Sequence, residues 1–138
     1  PARLDLALIR RAKAPPIASD LEALGAGAPV IRFHPPPLRI GLPYALGWLY
    51  GIEVAGLGGR MMAKQLFERL GVGPADGGAF FDGYGADTHA MWERLARVIT
   101  LRVRSDADLD AARDGAVDMF EALLDWLSLP NSSTCSPD

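Results

Sequence analysis

Between Leu46 and Arg60 the chain reads LGWLYGIEVAGLGGR, five glycines in fifteen positions, within a stretch whose apolar spacing is helical. An interior glycine lowers helix stability by about 1 kcal/mol relative to alanine, so the five together forgo about 5 kcal/mol. A fold that keeps this helix must recover that free energy through contacts that only a bare backbone can make. At 100° per residue, Gly47, Gly51 and Gly58 fall within about 40° of one another on the helical wheel, with Ala55 at their border. Two occupants fit such a face: a second helix packed closely against it, or a large flat ligand such as a cofactor ring. The adjoining Gly58 and Gly59 also permit a kink that would curve the helix over a ligand. Spacing alone leaves both readings open. Glu53 and Arg60 interrupt the apolar run and disfavour a membrane dimer built on small residues. A phosphate-cradling loop is disfavoured too, because no strand precedes the glycines and no lysine followed by serine or threonine closes them.

The remaining segments predict an all-α chain forming a single domain over residues 1–138. Pro15 and Pro16 are expected to end any helix begun near Ala2, with Ser19 or Asp20 capping a short turn stopped at Gly25. Residues 26–43 hold five prolines and predict an extended connection. The glycine-rich helix runs from about Tyr44 to Leu70, closed by Gly71, with Leu46, Leu49, Tyr50, Leu57, Met61 and Leu66 on its apolar side. Asp87 or Thr88 starts a helix carrying the stripe Met91, Trp92, Leu95, Val98, Ile99 and Val103. Another begins near Asp106, where three aspartates suit a helix N-terminus, and runs to Pro130; Leu109, Ala112, Ala116, Phe120, Leu123, Leu124 and Leu127 share one side. Residues 130–138 read as a flexible tail.

Fourteen basic against seventeen acidic residues, a formal charge of −3 without a basic block, argue against a nucleic-acid partner. The longest uncharged apolar run, Ile40 to Ile52, is short of the roughly 20 residues a membrane span needs. The one cysteine, Cys135, excludes an intrachain disulfide and a thiolate metal cluster, and a cytoplasmic location is the natural expectation.

LGWLYGIEVAGLGGR, then FFDGYG, THAMW and MFEALLDWL, resemble in order and spacing the heme oxygenase family, in its bacterial, phytochrome-associated branch, over about residues 44–128. RRAKAPPIASDLEALG resembles a further passage of that family. The resemblance implies a heme-oxygenase-like helical bundle in which heme lies between a proximal helix bearing an axial histidine and the glycine-rich distal helix. It further implies an oxidoreductase that opens heme to biliverdin with release of carbon monoxide and iron. Carried onto this chain, it assigns heme contacts to Gly51, Val54, Ala55, Leu57, Gly58 and Gly59.

The chain departs from the pattern at three distal positions. Val54 stands where the family keeps a heme-facing glycine, Ala55 where it has a serine or aspartate that organises water, and Gly56 where it has a threonine. The family's axial histidine lies upstream of the matched region, so the chain reads as the C-terminal two thirds of the domain, apparently missing its first helices. Of the two histidines present, His34 sits in a proline-rich connection and His89 opens a helix; each suits a surface or capping role better than iron ligation. Glu53 reads as a residue in a helical salt bridge with a basic neighbour or in a hydrogen bond to the adjoining loop, Tyr84 as a loop anchor, and Trp48, Trp92 and Trp126 as packing residues. These features favour a degenerate, non-catalytic relative that keeps the fold for binding a tetrapyrrole or a protein partner. The alternative is an active heme oxygenase with its proximal histidine supplied by an upstream segment. Apolar faces left uncovered also point to a homo-oligomer.

Overall fold

The computed structural model describes residues 6–27 and 33–129, apart from the side chain of Ala55. The expected tail over 130–138, with Cys135, and the middle of the 26–43 connection lie outside the described residues. Those described form helices and turns without a strand, as the all-α expectation requires. A 3₁₀ turn, Leu8–Arg11, leads into α1 (Ala14–Ala23). After an extended stretch come α2 (Leu42–Leu70) and the single turn of α3 (Ala79–Asp82). A second 3₁₀ turn, Gly85–Asp87, then introduces α4 (Thr88–Arg102), which is followed by α5 (Asp106–Leu127).

The turn before the prolines ends at Arg11, as expected, but the prolines have a second role. Pro15 and Pro16 begin α1, because the first turn has no use for their missing N–H groups. Asp20 is consequently inside α1, not capping it. Its buried carboxylate reaches across to α3, accepting from the backbone N–H of Ala79 and Phe80, both at 2.8 Å. Gly25 does end the segment: at φ +67° it lets Ala26 N–H return to Leu21 O at 2.8 Å. Gly71 closes α2 in the same left-handed conformation. α5 starts on a reciprocal cap, Ser105 accepting from Asp108 N–H while the Asp108 carboxylate accepts from Ser105 N–H.

α2 and α5 form the most extensive helix pair. A Cβ on Gly47 would overlap the Ala112 carbonyl, one on Gly51 would overlap the Met119 methyl, and one on Gly115 would overlap the Tyr44 carbonyl. Backbones therefore touch, and the helix-packing reading holds for Gly47 and Gly51. Gly59 lies against α3, where a Cβ would sit 3.1 Å from Phe81 O, and Gly58 has no heavy atom within 4 Å of that position. Two apolar clusters surround the contact. One joins Leu46 of α2 to Leu95 and Val98 of α4, with Leu6; the other joins Tyr44 and Trp48 to Met119. Tyr44 O–H donates to Asp118 at 2.7 Å and accepts from Trp48 Nε1 at 2.9 Å, so the aromatic pair is also bonded to α5. Arg39, in the extended connection, pairs with Asp114 at 3.0 Å and Asp118 at 3.4 Å, fastening that connection to the same helix.

The α4 stripe is buried as expected at Met91, Leu95 and Val98. On α5 the buried face is narrower than the apolar pattern. Gly115 and Met119 face inward, whereas Leu109, Phe120, Leu124 and Leu127 are exposed, because close packing on α2 admits only the small residues and their immediate neighbours. Met61, Phe67 and Leu70 of α2 are exposed as well. Gly47→Ala and Gly58→Ala should therefore diverge in urea unfolding. The first is expected to destabilise by at least about 2 kcal/mol through backbone overlap; the second is expected to gain up to about 1 kcal/mol of helix propensity.

Candidate functional site

Beside the α2–α5 contact lies a cavity of about 440 Å³. Trp48 of α2, Trp92 of α4, Trp126 of α5, Phe80 of α3 and Phe33 of the extended connection contribute its aromatic walls, with Ile52 and Met119 between them. All three tryptophans of the chain thus border one space. Phe33 and Trp126 meet edge to face at 6.0 Å between centroids. Trp126 Nε1 is buried without a hydrogen-bond partner among the described residues. The volume and the aromatic lining are those of a small-molecule pocket.

The one polar stretch of wall is a charge cluster formed by Lys13, Glu53 and Tyr84, backed by Arg11. Glu53 lies on the inner face of α2 and is 5% exposed. Its carboxylate accepts from Tyr84 O–H at 2.7 and 3.0 Å, with Arg11 Nη1 3.1 Å and Lys13 Nζ 3.4 Å away. The Arg11 contact is close but off the direction of a hydrogen bond. Two other N–H groups of that guanidinium are bonded, Nε to Leu6 O and Nη2 to Met91 O, both at 2.7 Å. Lys13 Nζ donates to Tyr84 O at 2.9 Å and stands 4.3 Å from the centre of its ring. Burial first, and then the hydrogen bond to Glu53, push the Tyr84 phenol well above its ordinary pKa, so it remains a neutral donor. Of the two expectations for Glu53, the hydrogen bond to the adjoining loop is present, with Tyr84 as its anchor, whereas its ion pairs are with Arg11 and Lys13 and not with a basic neighbour on the helix. Arg11 and Lys13 were missed as their partners, since pairing across 40 or more residues leaves no local pattern.

The residues expected to touch heme are dispersed. Leu57 borders the cavity. Gly51 is covered by Met119, Gly59 by α3, Gly58 is open on another side, and Val54 is half-buried away from the lining. The side chain of Ala55 lies outside the described residues. Gly56, where the resemblance has a threonine, does border the cavity. His34 lines a separate open groove with Asp118, Glu121 and Asp125, and His89 is 82% exposed, 3.3 Å from Glu93. Neither histidine reaches the cavity. The groups with donor atoms that do include the Met119 thioether, whose methyl is seated on Gly51, the protonated Tyr84, and Lys13 and Glu53, which are paired with each other. The residues present suit a flat apolar ring but not an iron held by histidine.

Comparison of the chain with protein-family models, curated proteins and solved structures finds no match.

Two outcomes follow from the charge cluster. Glu53→Gln leaves Arg11 and Lys13 without a counter-charge in a buried wall and should cost about 3–5 kcal/mol of stability in denaturant unfolding. In alkaline titration followed at 295 nm, Tyr84 should resist ionisation. The folded state holds this proton more tightly than the unfolded chain, so the contribution is complete below about pH 10 and is lost as pH rises beyond it. A tyrosine titration completed near pH 10 with the fold intact would contradict the Tyr84–Glu53 bond.

Proposed function

We propose that this chain is a heme-oxygenase-like helical domain that acts as a binding module, holding a flat, apolar ligand of tetrapyrrole type in its aromatic cavity without cleaving it. The supporting observation is the composition of that cavity: three tryptophans and two phenylalanines around about 440 Å³, with both histidines elsewhere. Aromatic faces bind a planar π system by stacking, and iron ligation is not needed for that. The bare backbone of Gly47 and Gly51 then serves the scaffold, and the ligand meets side chains. A second reading, heme cleavage to biliverdin with a histidine supplied by another segment, draws its support from the open edge of α2 at Gly58, where no heavy atom lies within 4 Å of a Cβ position.

Tryptophan fluorescence tests the first reading directly, because every tryptophan borders the cavity. Hemin and biliverdin should each quench it saturably, while bound hemin shows no Soret shift of the kind histidine ligation produces. A ligated Soret band that disappears with reductant and oxygen would replace the binding module with the enzyme. Unquenched tryptophans with both compounds would remove the cavity from either reading.

A further inference from the structure

The cluster in the cavity wall is unbalanced. It contains two cations, Arg11 and Lys13, and Glu53 is the only carboxylate paired with them among the described residues. Burying a charge without a counter-charge is costly, and the two cations differ in how they meet that cost. Arg11 is 2% exposed and its three nitrogens face Leu6 O, Met91 O and Glu53. Lys13 is 24% exposed; of its three N–H donors one goes to Tyr84, and Glu53 lies 3.4 Å from the ammonium as an ion pair. Both Lys13 and Gly56 border the cavity, and a Cβ on Gly56 would sit 4.0 Å from Lys13 Nζ. The missing side chain leaves free space beside the ammonium, at the position where the resemblance has a threonine.

We infer that the cavity takes an apolar organic acid, with its hydrocarbon or aromatic body among the tryptophans and its carboxylate on Lys13 Nζ beside Gly56. This rests on the cavity being a ligand site and specifies the ligand's headgroup. The carboxylate brings the cluster to two positive and two negative charges and accepts from an ammonium N–H that Tyr84 does not use. Arg11, Glu53 and Tyr84 position that ammonium and do not touch the ligand. A neutral body of the same shape would satisfy the aromatic walls and leave the charge uncompensated.

The test compares 1-pyrenebutyric acid with 1-pyrenebutanol, which share a ring system and differ in the charged end, by quenching of tryptophan fluorescence in the full chain. The acid should bind about tenfold or more tightly than the alcohol, the range of a charge-assisted hydrogen bond. Lys13→Met should abolish that preference, leaving acid and alcohol with equal affinities. A second measurement needs no variant. The chain has two lysines, Lys13 and the exposed Lys64, so amine acetylation read by mass spectrometry provides its own control. At equal occupancy the acid should protect Lys13 more than the alcohol does, with Lys64 labelled equally in both. Equal affinities of acid and alcohol, a preference that survives Lys13→Met, or equal protection of Lys13 by the two would overturn the assignment of the headgroup and leave the cavity as a site. Absence of quenching by either compound would overturn both.

Discussion

Where Gly47 and Gly51 of α2 meet Ala112 and Met119 of α5, and Gly115 meets the backbone of Tyr44 and Trp48, the two helices touch with almost no side chain between them. Ordinary helix pairs are held 8–10 Å apart, roughly, by the residues at their interface. Removing those residues draws the axes together and displaces every large group to the flanks. Trp48 and Ile52 stand on one flank for that reason, and with Met119, which covers Gly51, they form one side of the cavity. Beyond Gly51 the bare-backbone approach is not repeated at Gly58, where no heavy atom lies within 4 Å of a Cβ position. The space that the aromatic residues surround therefore follows from a close approach sustained over only part of α2.

Electrostatics does for the first residues what packing does for the helix pair. Arg11 binds the carbonyls of Leu6 and Met91 while lying against Glu53, so one side chain joins the N-terminal turn to α4 and α2. Desolvation of such a group offsets much of its attraction to a carboxylate, so the pairing gives little net stability compared with an apolar replacement. Its effect is on position. Tyr84 and Lys13 converge on the same carboxylate, and the loop after α3 is thereby held against α1 and α2. Asp20 adds a second tie between α1 and α3 through its two backbone bonds.

The helices were legible in the sequence because their signals are local. Gly71 and Gly25 stop elements through a left-handed backbone, and Ser105 with Asp108 starts α5; each requires only neighbours in the chain. Pro15 and Pro16 were read only as an end because a proline breaks a helix interior but is favoured in a first turn, and the sequence does not say which turn it occupies. The face of α5 was overread for a related reason. Apolar periodicity marks which residues could be buried, whereas Gly115 and Ala112 determine which of them are, so Leu124 and Leu127 stay exposed. Glu53 announced itself as a charge within an apolar helix, but nothing in RRAKAPP marks Arg11 and Lys13 as its partners. The cavity depends on Trp48, Trp92 and Trp126 arriving from three helices, and three separate core-like positions look alike whether they enclose a ligand or one another.

The glycine-rich segment can accordingly be divided by what each bare position faces. Gly47 and Gly51 belong to α5, Gly59 to α3, and Gly58 to open space; only Gly56 faces the cavity, across from an ammonium group. A distal helix that presented its backbone to a porphyrin would need its glycines on a common free face, and here a second helix occupies most of that face. Any recognition in the cavity must therefore be made by side chains: rings that accept a planar body, and a buried charge cluster that sets the polarity of one end. Backbone contact would measure the thickness of a ligand, whereas this lining measures its shape and charge. Selectivity in such a site rests on the charged end, because stacking alone accepts any ring system of suitable size.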